Sequence, residues 1–364
     1  MNFTNVFLKS FRILLLPFAI IYGLGVMLRN WLYNKKILRS ARFNLPIICV
    51  GNLAVGGTGK SPMVEYLVKL LQSRFKIATL SRGYKRKTKG YALAGTETTA
   101  LEIGDEPMQF HLKFPDLAVA VGERRIEAIP QLLHDRPGTE AILLDDAFQH
   151  REVTAGLNIL LTDYHNLFTR DFFLPTGDLR DQRSSYKRAD ILVVTKCPAE
   201  LSVEEKNEVL DELQPRSGQQ IFFTTIRYGI PFHIFHQEKK EILPHEEILL
   251  VCGIANPRPL QEYLSDKTKA YELMTYNDHH IFTIDDLKDI RNRFDQLPAR
   301  NKFILTTEKD AVRLIKFRTE LELMPLYVIG IEPGFLFDEG KYFDDRVVDF
   351  IGNFALQENE QSAI

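Results

Sequence analysis

The chain has 364 residues, enough for two ordinary domains, and its 45% hydrophobic and 26% charged residues are typical of a globular protein. Its formal net charge of -2 gives no reason to expect a nucleic-acid partner. Cys49, Cys197 and Cys252 lie in apolar stretches without metal-ligand spacing, so we predict buried thiols in a reducing compartment.

The N-terminal segment, residues 1–42, is basic and apolar. No acidic residue precedes Glu65, and an uncharged run of 16 residues occupies positions 13–28. That run is shorter than the roughly 20 residues that span a bilayer. We predict a membrane-associated helix that lies on the cytoplasmic surface and contacts anionic lipids. A tilted span and the core helix of a soluble protein remain alternatives.

After this segment, short β-branched apolar runs alternate with amphipathic segments, as in a doubly wound parallel α/β sheet buried on both faces. Strands are predicted at 46–50, 76–80, 117–121, 141–145, 158–162 and 190–195, with helices near 62–73, 123–134 and 202–213. A smaller α/β unit is predicted from strands within 248–257, 302–310 and 325–333 and helices near 259–265, 285–296, 310–316 and 344–355.

A glycine-rich loop lies between the first predicted strand and the first predicted helix. A strand, such a loop and a helix together form the phosphate-binding loop of nucleotide-dependent enzymes, with Pro62 at a first-turn position that tolerates proline. Lysine at position 60 would reach the outer phosphates, and the serine that follows it would bind magnesium. The predicted nucleotide-binding residues are Ala54, Val55, Gly56, Gly57, Thr58, Gly59, Lys60 and Ser61. Alanine at position 54 departs from the usual glycine, and we interpret it as a tolerated variant.

Acidic residues follow a predicted strand at Asp145 and Asp146, where this type of loop requires a carboxylate for the magnesium shell. Asp105 lies in the sequence GDEP, where the residues alone predict a charge at a helix N-terminus. Arg180 could stabilise a transferring phosphoryl group, or it could form a surface pair with Asp181.

Two adjacent histidines occur in the sequence DHHIF, at positions 279 and 280. Adjacent side chains of an extended segment point to opposite faces, so we do not expect a metal cluster there. We interpret one of these histidines instead as a residue that orients a catalytic carboxylate. If His279 has this role, the site is a cleft between the two domains, and domain closure matters.

Nine motifs in a fixed order resemble the tetraacyldisaccharide 4'-kinase family, the lipid A 4'-kinases of Gram-negative bacteria. They are VGNLAVGGTGKSP, LSRGYKRK, GDEP, VGERR, LDDAFQH, LPTGDLRD, VTKCP, DHHIF and TTEKDAVRL. The resemblance covers about residues 5–350. It implies a transferase that uses ATP and Mg²⁺ to phosphorylate the 4'-hydroxyl of a tetraacyl glucosamine disaccharide 1-phosphate in lipid A (lipopolysaccharide) biosynthesis. It also implies a location at the cytoplasmic face of the bacterial inner membrane.

The resemblance also implies roles for individual residues. Asp105 would be the base and His279 its assistant, while Lys60 and Arg180 would act on the phosphate charge. The magnesium ligands would be Ser61, Asp145, Asp146 and Asp181. Asp181 stands where the family often has glutamate, and the side chain of aspartate is shorter.

The family's two α/β/α domains give the expected organisation, with a monomer as the expected state. The predicted segments are a membrane-associated segment at 1–42, a P-loop NTPase-type kinase core at 43–225, a two-stranded linker at 226–247, a smaller domain at 248–356 and a flexible tail at 357–364.

Other functions use a similar loop. A P-loop GTPase switch would read guanine through Asn/Thr-Lys-x-Asp, but Pro198 occupies the aspartate position of VTKCP. An ATP-dependent ligase of the dethiobiotin-synthetase type would not need a membrane helix. A catalytically inactive membrane adaptor would not need Lys60, Ser61, Asp105 and Asp145 together.

Overall fold

The computed structural model describes residues 12–362, with side chains as far as residue 354. Predictions for residues 1–11 and 363–364 therefore lie outside the described residues. The strands are β1 (Ile47–Asn52), β2 (Ile77–Ser81), β3 (Ala92–Leu93), β4 (Ala118–Val121), β5 (Ala141–Asp145), β6 (Leu157–Asp163), β7 (Ile191–Thr195), β8 (Gln220–Tyr228), β9 (Phe232–His233), β10 (Glu247–Cys252), β11 (Ala270–Thr275), β12 (Lys302–Thr307), β13 (Leu326–Ile329) and β14 (Ile331–Phe335). The helices are α1 (Leu16–Asn34), α2 (Lys60–Leu71), α3 (Ala100–Ile103), α4 (Asp105–Lys113), α5 (Arg125–Asp135), α6 (Val203–Leu213), α7 (Arg258–Lys267), α8 (Ile284–Gln296), α9 (Glu308–Leu314), α10 (Arg318–Leu321) and α11 (Gly340–Ser362).

The larger sheet has nine strands among the described residues, in the order β14-β8-β7-β6-β1-β5-β2-β4-β3. From β8 to β4 the neighbours are parallel, and the edge strands β14 and β3 are antiparallel. Every residue of β1, β2, β5 and β7 is buried. Helices cover both faces of such a sheet, which explains the continuous apolar runs and confirms the predicted doubly wound parallel fold. We call this sheet and its helices the first unit.

Strand β1 lies where the strand order reverses, between β5 and β6. In open α/β sheets, ligands bind outside the carboxyl ends of the strands at this switch point. The register pairs Val50 of β1 with Asp145 of β5. The loop after β1 and the acids after β5 therefore meet at the same edge.

The second unit has the sheet β11-β10-β12-β13-β9, so the predicted smaller α/β domain is present. It ends earlier than the predicted range of 248–356, because the chain returns to the first sheet at β14. Helix α11 continues to Ser362, through most of the segment predicted as a flexible tail at 357–364. A physical reason is that apolar side chains of α11 are buried in the first core, namely Phe343, Val347 and Ile351.

Two chain crossings join the units. One follows β8 and the other is Gly330, and the N–H of Gly229 donates to the Gly330 carbonyl at 3.0 Å. The strands leading into these crossings, β8 and β14, pair antiparallel. The linker predicted at 226–247 therefore takes its second strand from β14, while β9, inside that range, joins the second sheet.

Helix α1 lies along the outside of the first unit. Ala19, Gly23 and Asn30 face inward and are buried. Glycine at position 23 permits close approach of Phe173, since a Cβ there would lie 2.6 Å from the ring. The helical stretch Ile13–Asn34 is long and apolar enough to cross a membrane, and 17% of its most apolar window is buried. So little burial does not support the core helix of a soluble protein.

Candidate active site

The glycine-rich loop connects β1 to α2, which begins at Lys60. Its backbone φ is +107° at Gly56 and +82° at Gly59, a region that favours glycine. Ala54 is not among the described residues with positive φ. It is buried and bridges Leu179 in an antiparallel contact. Alanine is tolerated there because the position is extended and packed rather than left-handed.

Buried polar side chains hold the loop against the sheet. Asn52 donates from Nδ2 to the Thr58 hydroxyl at 2.8 Å. The Thr195 hydroxyl, at the end of β7, donates to the Thr58 carbonyl at 3.0 Å. The N–H groups of the first turn of α2 have no intrahelical acceptor, so the loop and this turn offer an anion site.

A charged cluster of Lys60, Asp146 and Arg180 lies beside the loop. Lys60 Nζ is 3.8 Å from Asp146 Oδ1. Arg180 donates to both carboxylate oxygens, at 3.0 Å from Nη1 and 2.5 Å from Nη2. Burial raises the pKa of Asp146, but the hydrogen bond from Arg180 and the Lys60 charge outweigh it and bring that pKa to about 2. Asp146 is therefore ionised at neutral pH, with two cations at hand for phosphate oxygens.

Asp145 lies at the end of β5 and is 2% exposed. Its Oδ1 is buried without a hydrogen-bond partner within the described residues. Burial, followed by the charges of Glu106 and Asp146, raises the pKa of Asp145 to about 7. A buried, unpaired carboxylate oxygen beside further carboxylates is a favourable position for a bound cation.

The residues present fit Mg²⁺, which prefers oxygen ligands. The unpaired Oδ1 of Asp145, the Asp146 carboxylate and the half-buried Ser61 hydroxyl supply such oxygens. The part of the chain that the structure describes contains no group of three or more His, Cys, Asp or Glu side chains that could hold a metal. Mg²⁺ is commonly held by one or two carboxylates plus substrate phosphates, which suits this donor set.

A second cluster lies where the two units meet. Asp105 is the first residue of α4, and His279 follows β11 in the second unit. The His279 Nδ1 and Asp105 Oδ2 atoms are 3.0 Å apart. Arg313 of α9 donates to the same Oδ2 from Nε at 2.9 Å and from Nη2 at 2.7 Å. The expected carboxylate–histidine pair therefore bridges the cleft, while His280 is turned away to Asp286.

The pKa of Asp105 reflects opposing effects. Burial raises the pKa, but the hydrogen bonds from Arg313 and His279 and the charge of Arg313 outweigh burial and hold it below its usual value. The carboxylate is therefore ionised at neutral pH and able to accept a proton.

Asp181 is not brought together with the other predicted magnesium ligands. Its Oδ1 accepts hydrogen bonds from Asn30 Nδ2 at 2.6 Å and the Ser185 hydroxyl at 3.0 Å. Its Oδ2 pairs with Arg188 at 3.0 Å. The short side chain is 2% exposed and fully engaged. These contacts give Asp181 a structural role in attaching α1 to the first unit.

Sequence reasoning missed Asn52, Lys309 and Arg313. The last two lie in TTEKDAVRL, a motif that was part of the family resemblance but had no assigned role. Nothing in one sequence indicates that α9 faces α4 across the cleft. The three cysteines are buried and unpaired, as predicted.

Comparisons with known proteins agree with this geometry. The family model described as tetraacyldisaccharide-1-P 4'-kinase matches residues 11–349. A tetraacyldisaccharide 4'-kinase from Flavobacterium johnsoniae is 46% identical, covering 93% of this chain and 97% of its own. One from Bacteroides thetaiotaomicron is 44% identical, with 95% and 96% coverage.

A solved structure is similar over nearly the whole chain. The crystal structure of LpxK from Aquifex aeolicus in complex with ATP superposes with a TM-score of 0.72 at 28% sequence identity. The match covers 94% of this chain and 99% of the other. The arrangement of both units is thus shared with an ATP-binding protein.

Proposed function

The chain belongs to the tetraacyldisaccharide-1-P 4'-kinase family, and we propose how its residues transfer the γ-phosphate of ATP to the 4'-hydroxyl of a tetraacyl glucosamine disaccharide 1-phosphate. This transfer is a step of lipid A biosynthesis, with ATP as phosphoryl donor and Mg²⁺ as cofactor. The observation that carries the assignment of roles is the ionised carboxylate of Asp105, held at the cleft by His279.

The glycine-rich loop binds the ATP phosphates in this proposal. Residues 54–61 surround the phosphates with backbone N–H groups, and Lys60 neutralises the outer phosphate oxygens. Ser61, Asp145 and Asp146 would hold Mg²⁺, which would neutralise negative charge on the ATP phosphates. Arg180 stabilises the charge that develops during transfer.

Asp105 is the base of the reaction. The 4'-oxygen forms a bond to the γ-phosphorus while the bond from that phosphorus to the bridging oxygen breaks, and ADP leaves with the electron pair. The hydroxyl proton passes to Asp105, because a sugar hydroxyl is a weak nucleophile until its proton is accepted. His279 orients the carboxylate. Contact between the two units keeps this pair together, because Asp105 lies in the first unit with the phosphate loop and His279 comes from the second.

Helix α1 brings the lipid substrate to the site. Its exposed face carries large apolar side chains, including Phe18, Ile21 and Leu24, and is followed by the exposed cations Lys35 and Lys36. This combination suits a membrane surface with anionic lipids. We assign the enzyme to the cytoplasmic face of the inner membrane, because ATP is cytoplasmic.

The contacts of α1 favour a helix that lies on the membrane over one that spans it. They occur along the whole segment: Arg12 pairs with Asp178 at 2.8 Å, and Arg151 Nη2 donates to the Asn34 side chain at 2.8 Å. Between them, the Tyr22 hydroxyl donates to the Arg180 carbonyl at 3.0 Å. A helix fixed to the body at both ends and its middle stays alongside that body. The Tyr22 contact also joins α1 to Arg180, the residue to which this proposal gives the role of stabilising phosphoryl transfer.

A nucleotide panel tests this function. With a tetraacyldisaccharide 1-phosphate in mixed micelles, we expect phosphorylated lipid with ATP and far less with GTP. GTP-dependent turnover without a phospholipid product would instead support a GTPase switch and contradict the proposed kinase.

A further inference from the structure

The two oxygens of Asp105 have different surroundings. Oδ2 is approached by three N–H groups, two from Arg313 and one from His279. Oδ1 accepts no hydrogen bond from the described residues, although the side chain as a whole is only 23% exposed. One oxygen is therefore fixed by the protein, and the other is left for a ligand.

Asp105 and Lys309 together define which nitrogen of His279 carries the proton. The ionised carboxylate of Asp105 only accepts, so the Nδ1 atom that lies 3.0 Å from its Oδ2 carries the proton that it donates. Lys309 Nζ belongs to an ammonium group with donors only and lies 3.3 Å from Nε2, which is therefore the acceptor. The 3.0 Å approach of Arg313 Nη2 to Nδ1 is then a contact between two donors that converge on one oxygen. Asp278 pairs with Lys309 at 3.2 Å and keeps the ammonium in place.

Arg313 is itself held rigidly by the second unit. It is 7% exposed, and its Nη1 donates to Asp310 Oδ1 at 3.3 Å. The other oxygen of Asp310 accepts the Gly253 N–H at 3.0 Å and the Thr307 hydroxyl at 2.8 Å. Asp310 is completely buried. This network fixes the direction from which Arg313 reaches across the cleft.

Resting on the kinase function proposed above, we propose that Arg313 and Lys309 are positioning residues for the catalytic base. Arg313 holds Oδ2 of Asp105 so that Oδ1 faces the sugar hydroxyl. Lys309 fixes the tautomer of His279, so that its Nδ1–H also points at Oδ2. Both residues lie on α9 of the second unit, whereas Asp105 begins α4 of the first unit. The base is therefore fully oriented only when the two units are in contact.

The charged and titratable groups around this carboxylate come from several elements. Helix α9 contributes Lys309, Asp310 and Arg313, the loop after β11 contributes Asp278 and His279, and α4 itself contributes Glu106. The ring of Tyr84 contacts that of His279 from the first unit, with centroids 5.8 Å apart. Arg313 is a cation that donates hydrogen bonds directly to Asp105. Its removal should therefore raise the pKa of Asp105 more than the removal of any other of these charged groups.

The first test is the variant Arg313→Gln, measured as kcat for 4'-phosphorylation across pH. Wild-type enzyme must first form the 4'-phosphate, and its failure to do so would contradict the kinase function rather than this inference. We expect kcat to fall by about 10- to 100-fold, as for a small misplacement of a reacting group. The KM for ATP should not change, and the acid limb of the profile should move to higher pH. The control Arg318→Gln removes an exposed arginine that pairs with Glu322 and lies over the ring of Phe235, and it should leave the profile unchanged.

A double-mutant cycle separates positioning from folding. If Arg313 acts through Asp105, Arg313→Gln should cause no further loss of kcat in an Asp105→Asn background. An unchanged kcat and acid limb in Arg313→Gln, or an equal loss in both backgrounds, would overturn the proposal. If Arg313→Gln does not fold, Arg313→Lys is the second variant, because it keeps the positive charge but cannot donate from two nitrogens at once. A wild-type pH profile of kcat in Arg313→Lys would also contradict the proposal.

The second test measures the tautomer directly. With ¹⁵N-labelled histidine, the His279 nitrogens should show a proton on Nδ1 in the wild-type enzyme and a mixed population in Lys309→Met. A proton on Nε2 in the wild-type enzyme, or no change in the variant, would overturn the role given to Lys309.

Discussion

His279 Nδ1 lies 3.0 Å from Asp105 Oδ2, although the two residues belong to units with separate sheets. The phosphate loop, by contrast, lies entirely in the first unit. The proposed base and the histidine that orients it thus come together between the two units, whereas the proposed phosphate-binding residues 54–61 all lie in the first unit. Binding of ATP and the chemical step should therefore respond differently to mutation.

Replacing the base tests this separation. Asp105→Asn keeps the shape of the side chain but cannot accept the hydroxyl proton, so kcat should fall by about 10²- to 10⁴-fold. ATP affinity should stay near the wild-type value, because the Asp105 side chain bonds to His279 and Arg313 and, within residues 12–362, to no residue of the loop. Single-turnover kinetics and a fluorescent ATP analogue measure the two quantities. Equal losses of both would remove Asp105 as the base.

Lys60→Ala should abolish phosphoryl transfer, because it removes the cation that reaches the outer phosphates. The matched control is Lys69→Ala on the same helix, where the exposed lysine pairs with Glu332. Circular dichroism checks that both variants fold. A folded Lys60→Ala enzyme of near wild-type activity would contradict the phosphate-loop assignment.

The pH dependence follows from the lowered pKa of Asp105. The folded-state pKa lies below the usual value of 3.8, so the ionised base and its ion pair with Arg313 persist above that value. Both are lost only as pH falls through the lowered pKa. We expect the acid limb of log kcat/KM, attributable to Asp105, to lie below pH 3.8 in short assays in which the enzyme stays folded. An Arg313-sensitive acid limb near neutral pH would contradict this interpretation.

Much of the first unit could be predicted from sequence because its strands are continuous apolar runs and its loop has a strict spacing. The strand predicted within 325–333 is divided between β13 and β14, and local sequence does not show the division because the pairing of β14 with β8 depends on a partner about a hundred residues away. The course of the chain after Gly330 likewise depends on where α11 buries its apolar face. Such tertiary contacts leave no local pattern.

In the candidate site, too, some residues follow from a local sequence pattern and others depend on tertiary contacts. Lys60, Asp145 and Asp146 could be placed because the loop and the end of β5 meet at one sheet edge. Arg313 could not, since its role depends on the orientation of α9 across the cleft. No local pattern indicates that the side chain of Asp181 points to Asn30 on α1, while that of its neighbour Arg180 points to Asp146.

The exposed apolar face of α1 should determine membrane binding. Ile21→Gln with Leu24→Gln should reduce binding to vesicles containing anionic lipid, because both side chains are more than half exposed and the inner face of the helix is untouched. Leu323→Gln is a control of the same chemistry, on a side chain that is 96% exposed in the second unit. Unchanged sedimentation of the double variant with vesicles would refute the anchor.

Lys113 is expected to stabilise the contact between the units. Its Nζ lies 2.5 Å from Glu65 Oε2 and 2.5 Å from Glu308 Oε1, and Glu65 is buried. Lys113→Met should lower the free energy of unfolding by up to about 3–5 kcal/mol at pH 8, because it leaves the buried Glu65 carboxyl, which is ionised at that pH in the wild-type protein, without its cation.

The effect of Lys113→Met should shrink at lower pH. Burial, followed by the charge of Glu308, raises the pKa of Glu65 to about 7, so at pH 6 this carboxyl takes up a proton in the folded state. Urea unfolding at both pH values measures the difference. A loss of stability that is independent of pH would contradict an electrostatic role for the lysine.

The most direct test of the central claim is to map the phosphate on the lipid product. The purified enzyme, ATP, Mg²⁺ and a tetraacyl glucosamine disaccharide 1-phosphate should give a bisphosphorylated lipid whose new phosphate lies at the 4'-position by NMR and mass spectrometry. Asp105→Asn should form this product far more slowly. A phosphate at another hydroxyl, or ATP hydrolysis without any lipid product, would contradict the account.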